Sequence, residues 1–567
     1  MENFPVEILH RIFDNLDSET ILLSIRPVCR LFRAVINTYN RYIFNFESIS
    51  KSNFHLQCRL IRPENVISLI LSNNEHIPDQ ISLFMSSVRL RQMTRLQSIT
   101  FIGINELQLN NIVKRINLNS LTSFTLHIEK YDDRRKKTTL NFLSSIMAQS
   151  NLQKVELNIR NDRISEISWP VHCRIEHLII NENITFDNLC KILSSASQLH
   201  KLILKQDLPT MIDHRKLTST FPQITSLTIE QLDVPIDRLE SFLMLTPSLI
   251  YLKLIGKECV ADGKRWEQFI QINLPHLDTF QFFMDVKKSI GQTREDLQII
   301  LDSFRSSFWI EYKKCFIAGE LNIKRPHDIQ LYTIPICKLT LKYELYSEKI
   351  FVYTTSDISP STTENINELN LSLKMQIHDN TIPKQLLLRM NPLFPKVTKL
   401  QIEFECKPSL KSTKFFQSLI DVSRLVEVTL EKYSFDKGDE IVLCEIIHFI
   451  EQLPNLTSLT IHSMFCKYEM YPFLDNICSI IPRQIKYLQL AISKLDQIKM
   501  ILDRCQYLSV VKFETTRLKL SAEITHWFTE NTIDSTLTRQ NGCDIIWIGK
   551  RKSPMIVNHK RIKSSDD

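Results

Sequence analysis

The 567-residue sequence predicts an α/β solenoid, preceded by a small three-helix unit. A curved parallel sheet is expected on its concave face and helices on its convex face. The first observation is an apolar hexapeptide, Φ-x-x-Φ-x-Φ, that recurs from Val66 to the copy at Leu508. The second is the helical period of the apolar residues between the copies. The third is an N-terminal segment, residues 4–39, whose apolar residues predict short amphipathic helices.

The hexapeptide predicts the strands. Sixteen copies are spaced 23 to 31 residues apart, except for one step of 59 residues from Leu277 to Ile336. Single copies arise by chance, whereas many at near-constant spacing indicate structural repeats. We expect a degenerate copy in Ser306–Ile317, which would give about 17 repeats of roughly 28 residues. The copies begin at Val66, Leu96, Leu121, Leu152, Ile175, Leu199, Ile224, Leu249, Leu277, Ile336, Ile366, Val397, Leu425, Leu456, Ile485 and Leu508.

The segments between the strands are predicted to be helices. Their apolar residues recur at a helical period. Pro235 is expected in a first helical turn, and a short strand alternating with a helix predicts right-handed βα units with parallel strands. Such units stack into a curved solenoid. The clearest helical segments are Thr139–Ser150, Pro235–Pro247, Asp439–Pro454 and Leu495–Cys505.

The N-terminal segment carries more apolar surface than it can bury. Asp17 or Ser18 can cap a second helix, and Pro27 fits the first turn of a third. Three short helices have too little interior to cover every large side chain, and each one left exposed costs about 1.5–3 kcal/mol. We therefore expect either the rest of the chain or another protein to cover this face. The stripe on the first helix consists of Val6, Ile8, Leu9, Ile12, Phe13 and Leu16.

The repeats resemble leucine-rich repeats, which begin L-x-x-L-x-L and place their strands on the concave face. In that family an asparagine usually follows the strand and pairs with backbone groups at the bend. This sequence has the asparagine in only some of its repeats, so we expect irregular leucine-rich repeats with long helices. Asn74 and Asn183 fit the pattern, whereas Arg160, Asp207, Lys257 and Lys374 stand in the same place in other repeats.

Residues 3 to about 42 resemble an F-box. Phe4 and Phe32 replace the usual leucine and tryptophan. An F-box followed by leucine-rich repeats resembles the substrate-recognition subunits of SCF-type cullin–RING ubiquitin ligases. The resemblance implies that the F-box docks on the small adaptor of the ligase and that the solenoid binds a protein substrate. The matching residues are Pro5, Glu7, Ile8, Leu9, Ile12, Phe13, Leu16, Leu22, Leu23, Val28, Cys29, Arg30, Phe32 and Arg33.

The resemblance also implies an adaptor-binding set. For Leu9, the favoured alternative is a role in holding the three helices together. The same role is favoured for Phe13 and Val35, which are not in the adaptor-binding set. For Pro5 and Ile8 the interface role is favoured, as it is for Ile12. The implied adaptor-binding residues are Pro5, Ile8, Leu9, Ile12, Leu16, Leu23, Val28, Cys29 and Phe32.

One cluster on the predicted concave face is a candidate substrate site. Lys201 and Lys205 belong to one repeat, and Tyr251 and Lys253 belong to a strand two further on, about 10 Å away. Such a group could bind an acidic or phosphorylated peptide. Glu230 lies between the two strands and weakens this interpretation.

The composition excludes several function classes. Only 8 glycines are present, so glycine-rich phosphate loops and Rossmann fingerprints lack their key residues. The 13 cysteines include no C-x-x-C pair, which is typical of reduced thiols in an intracellular protein. The 15 histidines show no ligand spacing such as H-E-x-x-H. We therefore expect no cofactor, no metal site and no catalytic residues, so the protein is predicted not to be an enzyme.

The net charge and the hydropathy of the sequence argue against nucleic-acid and membrane partners. The net charge is +7, and much of it lies after Gly549, so a nucleic-acid partner is not expected. No apolar run is long enough to span a membrane, and no signal peptide is evident. We expect a cytoplasmic location, with the nucleus as the alternative because the basic C-terminal tail resembles an import signal.

Three parts of the chain are therefore predicted. They are an F-box at residues 1–42, a leucine-rich-repeat-like solenoid at 43–548 and a basic, disordered tail at 549–567. The alternative function is a leucine-rich-repeat protein-interaction scaffold unrelated to ubiquitin. In that case the N-terminal helices would act as a cap on the solenoid.

Overall fold

The computed structural model describes residues 4–73, 77, 79–171, 173–208, 220–257, 262–287, 293–322, 328–344, 350–355, 363–373, 391–404, 413–432, 448–463, 475, 477–479, 481–515, 518–540 and 542–552. Over these residues the protein is mixed α/β, with helices and parallel-rich sheets. The helices are α1 Val6–Phe13, α2 Arg30–Thr38, α3 Lys51–Leu60, α4 Gln80–Ser87, α5 Glu106–Val113, α6 Lys136–Met147, α7 Asn161–Ile164, α8 Phe186–Ser195, α9 Ile236–Leu243, α10 Gly263–Asn273, α11 Arg294–Asp302, α12 Thr413–Leu419, α13 Leu495–Arg504 and α14 Leu518–Asn531.

The first sheet has thirteen strands. Strands β1 to β10 lie side by side in chain order, and all of these neighbours are parallel. The antiparallel strands β12, β11 and β14 then complete the sheet, in that order. The strands are β1 Tyr42–Asn45, β2 Val66–Ser72, β3 Ser98–Asn105, β4 Ser123–Lys130, β5 Lys154–Asn158, β6 His177–Ile180, β7 Lys201–Leu204, β8 Ser226–Leu232, β9 Tyr251–Lys257, β10 Thr279–Lys287, β11 Phe316–Asn322, β12 Asp328–Ile334 and β14 Ile350–Thr354.

The second sheet has nine strands. Strand β13 and strands β15 to β20 are parallel neighbours in chain order, and β23 and β22 follow in antiparallel pairing. A separate pair, β21 and β24, is antiparallel. These strands are β13 Thr340–Glu344, β15 Glu368–Leu373, β16 Lys399–Phe404, β17 Glu427–Lys432, β18 Ser458–Ser463, β19 Tyr487–Ala491, β20 Val510–Glu514, β21 Thr532–Ile533, β22 Thr536–Gln540, β23 Cys543–Trp547 and β24 Lys550–Arg551.

Each of the sixteen hexapeptides contains part of a strand. Their apolar positions form the core because the parallel register places equivalent residues side by side; Leu339, which is 56% exposed, is the exception. Leu178 on β6 pairs with Leu202 on β7, and Leu202 pairs with Leu227 on β8. All three are at most 1% exposed. The residues between them face the opposite side of the sheet, where substrate contacts were predicted.

The segment between the hexapeptides at Leu277 and Ile336 differs from the prediction of a further repeat. Ser306–Ile317 does not hold a further parallel strand, because it contains a π-helical segment, Phe308–Tyr312, and the start of β11. Strand β11 runs antiparallel to β12 and β14. The apolar residues of the segment fill the core: Trp309 is fully buried, and its Nε1–H donates to the carbonyl of Gly263 at 3.2 Å. The spacing of apolar residues therefore predicts which residues are buried, but it does not predict the direction of a strand.

The predicted helices are found with small shifts. Helix α6 lies within three residues of the predicted Thr139–Ser150, and α13 fits Leu495–Cys505. Helix α9 begins at Ile236, so Pro235 occupies the capping position before its first turn. Most of Asp439–Pro454 lies outside the described residues, and so do Asn74 and Lys374.

The two ends of the described chain contact each other. The indole Nε1–H of Trp547 on β23 donates to the carbonyl of Ile49 at 2.9 Å, and the Lys51 ammonium donates to Thr536 Oγ1 at 2.6 Å. The Trp547 ring lies 5.4 Å from that of Phe54 on α3, centroid to centroid. Trp547 is fully buried, and it belongs to the core cluster of the first sheet although it lies in the second. The C-terminal strands therefore pack on the segment that follows the N-terminal helices.

The fold extends past residue 548. Strand β24 pairs with β21, and Arg551 Nη2 donates to the carbonyl of Cys505 at 2.9 Å. The predicted tail at 549–567 thus begins too early, because residues 549–552 are ordered against the last helices. Residues 553–567 lie outside the described part of the chain.

A candidate docking surface on the N-terminal helices

Helix α1 has a buried face. Leu9 and Phe13 are 3% and 2% exposed, and they belong to one core cluster with Val35 and Ile36 of α2. The Phe13 ring packs edge-on against Tyr39 at 5.7 Å, and Tyr39 packs on Tyr42 of β1 at 4.9 Å, so this face continues into the first sheet. The buried half of the apolar stripe is therefore covered by the chain itself.

A second face of α1 is apolar and exposed. Ile8 is 39% exposed, Ile12 is 47% exposed and Val28 is 67% exposed. Phe4 and Val6 are exposed on the same segment, at 53% and 41%. We call these five residues the docking surface. Several large exposed apolar side chains within one short segment make it a candidate interaction site.

The two helical segments that follow α1 are capped by side chains. Asp17 Oδ1 accepts from the amide of Thr20 at 2.7 Å and starts a π-helical segment, Thr20–Ile25. The Sγ of Cys29 accepts from the amide of Phe32 at 3.4 Å, so α2 begins at Arg30. Pro27 lies in the turn before this cap, and its predicted place in the first turn of the third helix is wrong. The cap holds Val28 in that turn, on the exposed surface.

An ion pair fixes the end of α1. The Asp14 carboxylate accepts from Arg41 Nε at 2.9 Å and Nη2 at 2.8 Å, and it also accepts from the Tyr39 hydroxyl at 2.9 Å. Burial alone would raise the pKa of Asp14, but the hydrogen bonds from Arg41 and Tyr39 outweigh it and hold this pKa below its ordinary value of 3.8. The bidentate geometry fixes the orientation of α1 relative to β1.

Replacing Asp14 with asparagine is expected to loosen α1. Both partners of the ion pair are more than a third exposed, so we expect a loss of about 0.5–1 kcal/mol. Because the folded-state pKa is lowered, this stabilisation is present above the ordinary pKa and is lost as the pH falls through the lowered value. Amide hydrogen exchange of residues 6–13 should therefore become faster in Asp14→Asn at neutral pH, and the difference from the wild type should shrink in acid.

The control for this prediction is Glu64→Gln, which removes an exposed carboxylate outside the three helices. It should leave exchange in α1 unchanged. Equal exchange in Asp14→Asn and the wild type at neutral pH would contradict the assigned role of the ion pair.

The nine predicted adaptor-binding residues do not share one environment. Leu9 is buried in the core, so its side chain faces away from the docking surface. Leu16, Leu23 and Phe32 are half-buried and pack on the core, and Cys29 is a half-buried helix cap. Four residues face solvent, and these are Pro5, Ile8, Ile12 and Val28.

The N-terminal segment is similar to a known domain. Residues 1–44 match the F-box domain. The match covers all three N-terminal helices, and it supports an F-box protein. No curated protein matches the chain. Among the described helices, none is sufficiently long and apolar to cross a membrane.

The predicted substrate cluster lies on the outward face of the first sheet. Lys201 pairs with Ser226, which pairs with Tyr251, so Lys201 and Tyr251 are two strands apart in the same row. The Tyr251 hydroxyl donates to Gln281 Oε1 at 2.8 Å. Lys253 lies one row further along β9, and Lys205 lies just past the end of β7.

One member of the cluster is neutralised. The Lys205 ammonium lies 3.5 Å from Glu156 Oε1 on β5, two strands away in the other direction. The charge that remains near Tyr251 is therefore carried by Lys201 and Lys253.

Proposed function

We propose that the protein is a non-catalytic substrate-recognition subunit of an SCF-type ubiquitin ligase. The observation that carries this proposal is the F-box match at residues 1–44 on helices whose outer face is apolar. F-box domains bind the small adaptor of cullin–RING ligases, and the docking surface supplies the apolar area that such a contact needs.

We also propose that the strands and helices form a leucine-rich-repeat solenoid. Parallel strands in chain order, each joined to the next by a crossover that often contains a helix, support this architecture. The bend after β7 supports it further. Asp207 Oδ1 accepts from the amides of Leu208 at 2.8 Å and of Asp233 in the next repeat at 2.9 Å. The Asp207 carboxylate can therefore pair with backbone groups at the bend, as the usual asparagine does.

The alternative is a scaffold in which the N-terminal helices only cap the sheet. The rings of Phe13, Tyr39, Tyr42 and Phe44 form a continuous series from α1 into β1, which favours some capping role. Capping uses the buried face of α1, however, and it leaves Ile8 and Ile12 exposed. The proposed adaptor contact accounts for both faces.

Affinity purification of the chain from cells treated with a proteasome inhibitor tests the proposed function. The ligase adaptor and the cullin subunit should co-purify with the wild-type chain, together with ubiquitylated client proteins. Recovery of client proteins without any ligase subunit would favour the scaffold function instead.

For the substrate, we propose that Lys201, Lys253 and Tyr251 contact an acidic peptide segment. Lys201 and Lys253 lie on the same face of the sheet, and two ammonium groups there suit carboxylate or phosphate groups. Polyglutamate labelled with a fluorophore should bind the full chain, and its affinity should fall with added salt. Lys201→Glu with Lys253→Glu should abolish binding, whereas Lys264→Glu on the exposed face of α10 should not. Equal binding by all three proteins would contradict the assignment.

A further inference from the structure

Two histidines meet on the outward face of the first sheet. His177 is the first residue of β6, and His200 directly precedes β7. Their Nε2 atoms are 3.2 Å apart, and the ring planes cross at 88° with their centroids 4.9 Å apart. The parallel register pairs His177 with Lys201, and this brings the residues before them, Glu176 and His200, side by side as well.

Glu176 completes a set of three ligands. A carboxylate oxygen of Glu176 and a ring nitrogen from each histidine all lie within 4.8 Å of one another. The three side chains are half-buried, so they are partly shielded yet still open on one side. Two imidazoles and one carboxylate form a donor set that zinc commonly takes in proteins.

The distance between the nitrogens fits a shared ion. Two ligands at about 2.0–2.1 Å from a tetrahedral zinc lie about 3.3–3.4 Å apart. The two Nε2 atoms are already at 3.2 Å. An ion bound to both would lie to one side of the line that joins them, so the two rings must rotate until both nitrogen lone pairs point at it. The Glu176 carboxylate must approach by a rotation of its flexible side chain.

We propose that Glu176, His177 and His200 bind one Zn²⁺ ion or a similar late divalent transition metal ion. The bound ion would link β6 to β7 and keep a fourth coordination position open towards the outward face of the sheet. Harder ions such as Mg²⁺ prefer oxygen ligands and should not bind here.

The charged residues around the proposed metal site favour one kind of fourth ligand. Lys154 and Lys201 lie on either side of His177 in the same row of the sheet. One carboxylate does not balance the charge of a divalent ion and two lysines, so an anionic fourth ligand is favoured. A carboxylate or thiolate of a bound protein would fit, and water would occupy the position otherwise. The metal site does not depend on the proposed ligase function.

Titration of the full-length, metal-free chain with Zn²⁺ and with Co²⁺ tests the proposal. We expect one ion per chain by calorimetry. Bound Co²⁺ should show visible d–d bands without the intense near-ultraviolet bands of thiolate ligation, which separates this site from the cysteines. His177→Gln and His200→Gln should each weaken binding at least about tenfold. The matched control is His276→Gln, an exposed histidine before β10, and it should bind as the wild type does.

Thermal unfolding gives a second readout. Zn²⁺ should raise the melting temperature of the wild type and of His276→Gln, and it should leave the melting temperature of the double variant His177→Gln with His200→Gln unchanged. Without metal, the variants should have the same far-ultraviolet circular dichroism as the wild type. Absence of binding at micromolar Zn²⁺, or unchanged binding by the double variant, would overturn the proposal. The two rings would then simply be hydrogen-bonded to each other.

Discussion

Replacing Ile8 and Ile12 together with aspartate is expected to weaken binding of the ligase adaptor by about a hundredfold or more. Both side chains lie on the exposed face of α1, at 39% and 47% exposure. Burying each one in an interface is worth about 1.5–3 kcal/mol, and 1.4 kcal/mol corresponds to a tenfold change in affinity. Aspartate adds the cost of desolvating a charge. Biolayer interferometry with the purified adaptor subunit would measure the change.

Stability should be unaffected by the same change, because neither isoleucine is part of the core. The matched control is Ile272→Asp with Ile299→Asp, which changes two isoleucines on α10 and α11 that are 77% and 68% exposed. This control should bind the adaptor as the wild type does. A fall in affinity of similar size in the control, or none in the Ile8 and Ile12 variant, would contradict the docking surface.

Replacing Trp547 with alanine is expected to destabilise both ends of the protein. The indole is fully buried, and its removal should cost about 3–5 kcal/mol. The change also removes the donor to the Ile49 carbonyl and the contact with Phe54. Urea unfolding would measure the loss, and hydrogen exchange should become faster in α3 as well as in β23.

The graded control at this position is Trp547→Phe. It keeps an aromatic ring beside Phe54 but leaves the Ile49 carbonyl without its donor, which should cost about 1–3 kcal/mol. If Trp547→Ala made exchange faster only in the C-terminal strands, the contact between the ends would not contribute to stability. In that case the second sheet would not help to orient the N-terminal helices.

The strands could be predicted because their signal is local. Each hexapeptide marks one strand by three apolar positions, and the residues at positions such as Leu178 and Leu202 are buried. The F-box was recognisable for a similar reason, since its motif lies within one short segment. The separation of the buried Leu9 from the exposed Ile8 is not a local property. It depends on where α2 packs, and only the structure gives that position.

Other features depend on pairing between distant residues. Trp547 and Ile49 are far apart in the sequence, and no local pattern links them. The antiparallel direction of β11 follows from the chain path after α11, and apolar spacing does not encode it. Glu176 and His200 also become neighbours only through the register of β6 and β7, so a search for short metal motifs missed them. Two histidines about one repeat apart, one at the third and one at the second position of neighbouring hexapeptides, were the available signal.

The most direct test of the proposed role is size-exclusion chromatography with light scattering. The full chain and the purified ligase adaptor would be mixed at micromolar concentration. The proposed role predicts a single complex with one copy of each protein, and the variant carrying Ile8→Asp and Ile12→Asp should fail to form it. Separate elution of the wild-type chain and the adaptor would contradict the proposed role in ubiquitin transfer.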